Sequence, residues 1–275
     1  VKKIGLIGAG FMGTAATRAI RATRPNIDIG LAETDPSRRL AALEEFSASD
    51  FSGNPQDMPS WADVVILAVK PKELPGLATA IREKDPEAFN KTFIVSLLAG
   101  TTVATLHRTL GSERVIRMMP NLAAQISQSV TGVAFSEALP EESRQEILQL
   151  FSGLGPLLSL EEEQIHAITA LSGSGIAFAL EFIQALTLGG VKEGLPYGQA
   201  LEAACGVVRS AANLVAHTGQ HPQEIVSQVC SPGGTTIEGV HTLAENRFQA
   251  AVMEAVTRTA RRSRELGKAT EEPGK

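Results

Sequence analysis

Gly8-Ala9-Gly10-Phe11-Met12-Gly13 restricts the fold more than any other stretch of this chain. A short apolar run at residues 4–7 precedes it and a helical pattern, Thr14 to Thr23, follows. That is the strand-to-helix context a G-x-G-x-x-G turn requires. The first glycine permits the tight turn, the second lets backbone approach a pyrophosphate, and the third lets the helix pack closely on the strand. The helix N-terminus would hold the phosphates. Ile27 to Ala32 then resumes an apolar strand and completes a βαβ unit.

The same rhythm continues. Arg38 to Glu45 looks helical, and VVILAV at 64–69 and TFIVSLLAG at 92–100 are further apolar strands with helical or polar spacers between them. Such alternation predicts a parallel sheet covered on both faces. Val115 to Met119, Val130 to Phe135 and Leu157 to Leu160 extend that sheet, with a helix over Glu141 to Phe151. Past Leu160 strand alternation stops, and helices are expected over Glu162 to Leu171, Ile176 to Glu193, Tyr197 to His217, Pro222 to Val229, Thr236 to Asn246 and Phe248 to Leu266. The expected class is α/β: an N-terminal Rossmann-type dinucleotide-binding domain over 1–160, followed by an all-α dimerisation domain over 161–275.

Dimerisation is argued from the second of these helices. Ile176, Phe178, Leu180, Phe182, Ile183, Leu186 and Leu188 lie on nearly every side of it, and a helix apolar all round must be buried. So small a helical domain can scarcely enclose it, so interleaving with a second subunit, as a homodimer or higher homo-oligomer, is expected. The net charge of -5, from 25 Lys and Arg against 30 Asp and Glu, offers no global attraction to nucleic acid or anionic membrane. A small-molecule substrate is expected instead. The opening VKKIGLIGAGFMG is read as a buried strand, because glycines interrupt it and no small-residue cleavage site follows. No apolar run approaches the roughly 20 residues that cross a bilayer, and the best, GIAFALEFIQAL, carries Glu181. Cys205 and Cys230 stand far apart and outside any CxxC spacing, which suggests neither a disulfide framework nor a metal site and fits a reducing, cytoplasmic compartment.

Two signals at the adenosine end of the dinucleotide site conflict. Glu33, twenty residues past Gly13, would accept hydrogen bonds from a ribose and favour NADH. Arg38 and Arg39 follow within reach of a 2′-phosphate, which would favour NADPH; solvent-facing helix positions explain them equally well. Lys70-Pro71 ends the 64–69 strand at the carboxyl edge where ligands of doubly wound sheets lie, and Ala99-Gly100 brings backbone without bulky side chains to the same edge.

Ser231-Pro232-Gly233-Gly234 reads as a turn, and Thr235 with Glu238 matches a T-x-x-E capping box, so a helix is expected just after it. A glycine loop feeding a helix N-terminus makes an anion pocket of backbone N–H groups, suited to a substrate carboxylate; an ordinary capped helix is the alternative. The histidines carry no comparable pattern. His217 and His221 are four apart, but Gly219 and Pro222 interrupt a helix there, so both read as loop residues and not as metal ligands.

IGLIGAGFMG, the central LAVKP and CSPGGTTIEGVHTLAENRF at 230–248 together resemble the pyrroline-5-carboxylate reductase family, and the resemblance spans essentially the whole chain. It implies a first domain that binds NAD(P)H, a helical domain that forms the dimer, and a site completed between subunits. Carried over, it implies that Ser231, Gly234, Thr235 and Thr236 bind substrate, with the Thr236 hydroxyl beside the ring nitrogen as hydrogen-bond partner or proton donor. Gly8, Ala9, Gly10, Phe11, Met12, Gly13, Asn54, Ala68, Val69, Lys70, Pro71 and Ala99 would line the cofactor site, and Met119-Pro120-Asn121 would border the nicotinamide. The chain departs from the family at Leu122-Ala123, where Thr-Pro is usual, at Ser129, a frequent glycine, and at Ile176 and Phe178, which replace a proline and a tyrosine.

A protonated cyclic imine is already electrophilic, so its reduction needs chiefly a nicotinamide held over the C=N carbon and water kept away. That fits a loop offering hydroxyls and backbone donors without an evident catalytic His or Lys. A hydroxyacid dehydrogenase of similar plan would need a general acid or base for the alcohol proton; Lys192 stands at the far end of its helix. A non-catalytic nucleotide sensor would keep the glycine turn but have no use for SPGGTT.

Overall fold

The computed structural model describes residues 1–271. The first strand, β1 (Lys3–Ile7), shows no alternation of apolar and polar side chains, because both of its faces are covered. Ile4 and Leu6 enter one core layer, and Ile7 enters the other. The glycine turn leads to α1 (Phe11–Thr23), β2 (Asp28–Ala32) and α2 (Pro36–Phe46). Pro36 at the first helical position and the Asp35 side chain, which accepts the Arg38 N–H at 2.9 Å, start α2 two residues earlier than the apolar pattern alone suggests. A two-residue β3 (Ser49–Asp50) and a short α3 (Met58–Trp61) precede β4 (Val64–Leu67). The spacers on either side of β5 (Phe93–Ser96) form α4 (Leu74–Lys84), α5 (Ala88–Lys91) and α6 (Val103–Leu110). β6 (Val115–Met119), β7 (Thr131–Phe135), α7 (Glu141–Leu150) and β8 (Leu157–Ser159) follow.

Among the described residues these strands form one sheet in the order β3-β2-β1-β4-β5-β6-β7-β8. Pairing is parallel except at β6 and β7, which run antiparallel with Met118 opposite Val133. The order reverses direction at the β1–β4 junction, the switch point where doubly wound sheets open a crevice. Ala16 and Ile20 of α1, Phe46 of α2 and Ile147 of α7 pack on one face with Leu6, Leu31 and Ile66. Leu74 and Ile81 of α4, Phe89 of α5 and Leu106 of α6 cover the other face with Val65, Leu67 and Ile94. Burial of each such side chain contributes about 1.5–3 kcal/mol, and this double cover is what holds the sheet's carboxyl edge rigid beneath the turns it carries.

The chain divides into two compact units. One comprises Val1–Ser174 with the chain from Thr259 on, and the other is Gly175–Arg258. The sheet's unit therefore takes in residues past 160, because Ile165 and Ile168 of α8 (Ile165–Ile168) pack on Ala134. Arg117, only 1% exposed, donates from Nη1 to Glu162 in the same region. A π-helical turn, Thr169–Ser174, follows α8.

The second unit is helical: α9 (Gly175–Lys192), α10 (Tyr197–Thr218), α11 (Pro222–Val229) and α12 (Thr235–Glu245), with the start of α13 (Phe248–Glu271). α9 packs on α10, and Phe182 lies 5.6 Å from Phe248 between ring centres. Three expectations change here. Helix runs without a break from Glu162 to Lys192, and by length and composition this stretch is apolar enough to cross a membrane, although no single uninterrupted apolar run in the sequence is; Glu181 interrupts the run without ending the helix. His217 is not a loop residue but, as the helix expected over Tyr197 to His217 required, belongs to the last turn of α10, which continues to Thr218 and ends on the left-handed Gly219. The expected capping box is not formed: Gly234, not Thr235, occupies the cap position and Thr235 is the first helical residue.

Candidate active site

Six turns stand in a row along the carboxyl edge of the sheet, one after each of β3, β2, β1, β4, β5 and β6. The first in sequence, Gly8–Gly13, behaves as its three glycines require. Gly8 has φ +95°, and a Cβ there would lie 2.7 Å from the Ala68 carbonyl oxygen. A Cβ on Gly13 would run into the Gly8 carbonyl oxygen and the Leu6 and Ala68 side chains. Around Gly10, the cap of α1, nothing lies within 4 Å of the position a Cβ would take. Two glycines are thus demanded by the fold itself, while the middle one faces open space at a helix N-terminus, which is where a pyrophosphate is held. Phe11 is half-exposed and Met12 packs against the core.

Glu33 follows β2 and is buried, at 7% exposure. Its Oε2 accepts the Ala9 N–H at 2.8 Å and its Oε1 the Asp35 N–H at 2.8 Å. Thr34 Oγ1 at 3.3 Å and Arg38 Nη2 at 3.4 Å also donate to Oε1. Burial pushes the Glu33 carboxyl up, but the Asp35 and Ala9 N–H groups, the Arg38 guanidinium and the Thr34 N–H outweigh it and leave the pKa below the ordinary carboxylate range. Sequence reasoning opposed Glu33 to Arg38; folding pairs them. The Arg38 side chain remains 56% exposed, and Arg39 stands beside it on α2 near Asp50.

The other turns carry the remaining candidates. Asn54 caps the 3-10 turn Pro55–Asp57 beyond β3 and its Oδ1 accepts from Gln56 at 3.3 Å. Ala68, Val69, Lys70 and Pro71 leave β4, with Ala68 N–H on the Ile7 carbonyl at 2.9 Å. Lys70 N–H donates to Glu73 Oε2 at 3.1 Å, which closes the 3-10 turn Pro71–Glu73. Ala99 is exposed at the end of the segment after β5, and Gly100 turns at φ +73°. Asn121, after β6, is buried and its side chain is engaged by Ala123 and Ser172.

Ser231, Gly234, Thr235 and Thr236 lie together in the helical unit. The Gly234 N–H bonds the Ser231 carbonyl at 3.0 Å, Gly233 takes φ +67°, and a Cβ on Gly234 would strike the Ser231 hydroxyl. The turn delivers exposed Thr235 and Thr236 to the first positions of α12, where N–H groups have no intrahelical acceptor. Because no side chain caps this end, those donors are open to an anion. The histidines have other employment: His221 Nδ1 accepts the Gln223 N–H at 3.3 Å, and His166 Nδ1 lies 3.0 Å from Ser263 Oγ. What sequence reasoning missed is that Asn121, expected at the nicotinamide, is bonded to a buried set of Ser129, Thr131 and Ser172; the unusual Ser129 was the available signal.

Two family models match the chain: pyrroline-5-carboxylate reductase dimerisation over residues 162–266, and NADP oxidoreductase, coenzyme F420-dependent, over residues 3–100. The pyrroline-5-carboxylate reductase of Glycine max is 37% identical over 265 residues, which cover 96% of this chain and 95% of that one. A crystal structure of 1-pyrroline-5-carboxylate reductase from Streptococcus pyogenes superposes with a TM-score of 0.83 at 29% identity, covering 96% of this chain and 98% of that one. A Plasmodium falciparum pyrroline carboxylate reductase with NADP bound shares the fold, with a TM-score of 0.81 at 22% identity over 96% of this chain and 98% of that one.

Proposed function

The chain belongs to the pyrroline-5-carboxylate reductase family, and we infer that it reduces the C=N bond of 1-pyrroline-5-carboxylate to give L-proline, the last step of proline biosynthesis. The cofactor is NADPH or NADH. The observation that carries the reading is the glycine turn, in which Gly8 and Gly13 are filled by neighbouring atoms and Gly10 is left open. The turn fits a dinucleotide pyrophosphate, since a Cβ at Gly10 would occupy the space the phosphates need.

The bound reduced nicotinamide supplies hydride. The protein's own part is to bind both molecules, orient them and keep water away. Backbone N–H groups of the Gly8–Gly13 turn and the α1 N-terminus would hold the pyrophosphate. Asn54, Ala68, Val69, Lys70, Pro71 and Ala99 would line the dinucleotide along the sheet edge, with Asn121 at the nicotinamide end. Ser231, Gly234, Thr235 and Thr236 would bind substrate: the open N–H donors of α12 orient its carboxylate, and the Thr236 hydroxyl hydrogen-bonds the ring nitrogen. No strong acid is required because the imine enters protonated.

The division of labour we propose is a nucleotide-binding domain over 1–160 and a dimer-forming, substrate-binding domain over 161–275; the family match over 162–266 supports it. Leu180, Leu186, Leu188 and Val191 of α9 are exposed in the single chain, and a second copy of the chain would cover them as a homodimer or larger homo-oligomer. A cytoplasmic location completes the reading and agrees with two free thiols, Cys205 and Cys230. The test is oxidation of NADPH and, separately, NADH in the presence of pyrroline-5-carboxylate, with proline measured against cofactor consumed. Stoichiometric proline is expected; cofactor binding without turnover would overturn the assignment in favour of a sensor.

A further inference from the structure

Asn121 leaves β6 directly after Met119 and Pro120, at the carboxyl edge of the sheet, yet its side chain is turned into the protein and only 4% of the residue is exposed. Its Oδ1 accepts the Ala123 N–H at 3.0 Å. Its Nδ2 donates to Ser172 Oγ at 2.9 Å and reaches the Ser172 carbonyl at 3.4 Å. Its backbone N–H donates to Ser129 Oγ at 2.9 Å, and Ser129 Oγ is 2.9 Å from Thr131 Oγ1. Ser172 Oγ donates its own proton to the Val130 carbonyl. Ser129 and Thr131 are fully buried and Ser172 is 7% exposed.

The direction of the bonds at Ser172 is determined by the groups that make them. An amide nitrogen can only donate, so Ser172 Oγ must accept from Asn121; its single proton is then left for the Val130 carbonyl. The branch through the Asn121 amide and the Ser172 hydroxyl runs from the Ala123 N–H to the Val130 carbonyl, so both of its ends are main-chain groups. Ser172 stands in the π-helical turn Thr169–Ser174, a rare widened form of helix. Through one hydroxyl, that turn is joined to the exit of β6 and the approach to β7. Each of these buried side-chain polar atoms has a partner, and loss of the Ser172 hydroxyl would take one from the Asn121 Nδ2 and one from the Val130 carbonyl.

We propose that Ser172 is a positioning residue for hydride transfer, acting through Asn121 to fix the Met119–Asn121 segment at the nicotinamide end of the sheet edge. The proposal rests on reading the chain as a nicotinamide-dependent imine reductase. Ser172 touches neither substrate nor cofactor in this role. It keeps the segment after β6 from shifting, and a displacement of about 1 Å at a reacting centre can slow a reaction by up to about a hundredfold.

The experiment compares wild type, Ser172→Ala and Ser172→Thr in single-turnover oxidation of NADPH by pyrroline-5-carboxylate, with folded fraction followed by circular dichroism and cofactor affinity by fluorescence titration. Ser172→Ala is expected to slow hydride transfer about tenfold or more while changing NADPH affinity and the KM for pyrroline-5-carboxylate less than about twofold, and Ser172→Thr to restore most of the rate. A kinetic isotope effect with 4-deuterated cofactor that rises in Ser172→Ala supports the positioning role, since the hydride step then limits turnover. An unchanged rate in a folded Ser172→Ala, or a loss that only tracks the unfolded fraction, overturns the proposal. Should Ser172→Ala not fold, Ser172→Cys keeps the volume with a weak donor, and an unchanged rate there overturns it equally. An inactive wild type instead sinks the reductase reading itself, and this inference with it.

Discussion

Glu33 Oε2 accepts the Ala9 N–H at 2.8 Å, so the end of β2 is bonded directly to the glycine turn that follows β1. With Oε1 engaged by the Asp35 N–H and Arg38, one carboxylate organises both the glycine turn and the start of α2. It also leaves a negative group where the adenosine ribose of a dinucleotide lies in doubly wound folds.

Glu33→Ser is therefore expected to raise the ratio of kcat/KM for NADPH over NADH about tenfold, ~1.4 kcal/mol, by removing charge repulsion with a 2′-phosphate. The same change strands buried donors and should lower stability by about 1–3 kcal/mol. Steady-state kinetics with each cofactor, beside thermal melts, separate the two effects; an unaltered ratio means Glu33 does not face the ribose.

The glycines of the turn should separate in the same way. Gly10→Ala meets no atom within 4 Å and is expected to keep the wild-type melting temperature while weakening NADPH binding about tenfold or more. Gly13→Ala collides with the Gly8 carbonyl and should lose about 1–3 kcal/mol of stability before any ligand is added. Equal melting temperatures for the two variants would contradict this.

Thr236→Ala is expected to slow hydride transfer about tenfold and to change NADPH affinity little, because in the proposed site its hydroxyl would serve the ring nitrogen alone. Stopped-flow reduction and a binding titration on the same variant decide it; unchanged turnover removes the residue from the mechanism.

His166 offers a pH test. Burial lowers its pKa first, Arg117 and Arg264 lower it further, and Glu162 and Glu163 oppose them without prevailing. A lowered folded pKa means the unfolded chain takes up the proton first, so the neutral His166 contributes stability in full above about pH 6.5, and that contribution declines as the pH falls below it. The melting temperature should drop between about pH 7.5 and about pH 5.5, and His166→Gln should flatten that drop. Identical slopes in both proteins would show that other groups set it.

Leu188→Glu on α9 places a charge on an apolar residue 53% exposed in the single chain. If a second copy covers it, burying that carboxylate is costly, and light scattering should report dissociation to monomer with loss of turnover. A variant that keeps the wild-type mass places the subunit contact elsewhere.

Local chemistry made much of this legible from the sequence. Strands apolar on both faces, the glycine turn, Tyr197 to His217 and Pro222 to Val229 as helices, and the helical end of the chain all follow from periodicity and from residues whose backbone options are few. The short α6 and α4 are visible there only as spacers, since their apolar faces are set by the sheet they cover. The cap of α12 is ambiguous in the sequence because Thr235 and Gly234 are both acceptable there, and only the turn bonded to the Ser231 carbonyl selects between them. By itself the sequence determined where the chain can turn, which elements form and which family they belong to. Tertiary structure alone decided that Glu33 bonds Ala9 and Arg38, and that Asn121, Ser129 and Ser172 share one buried network. Ala9 and Glu33, 24 positions apart, meet because β1 pairs with β2, and Asn121 and Ser172, 51 apart, because the turn after α8 folds back onto the exit of β6; no local preference encodes either arrangement.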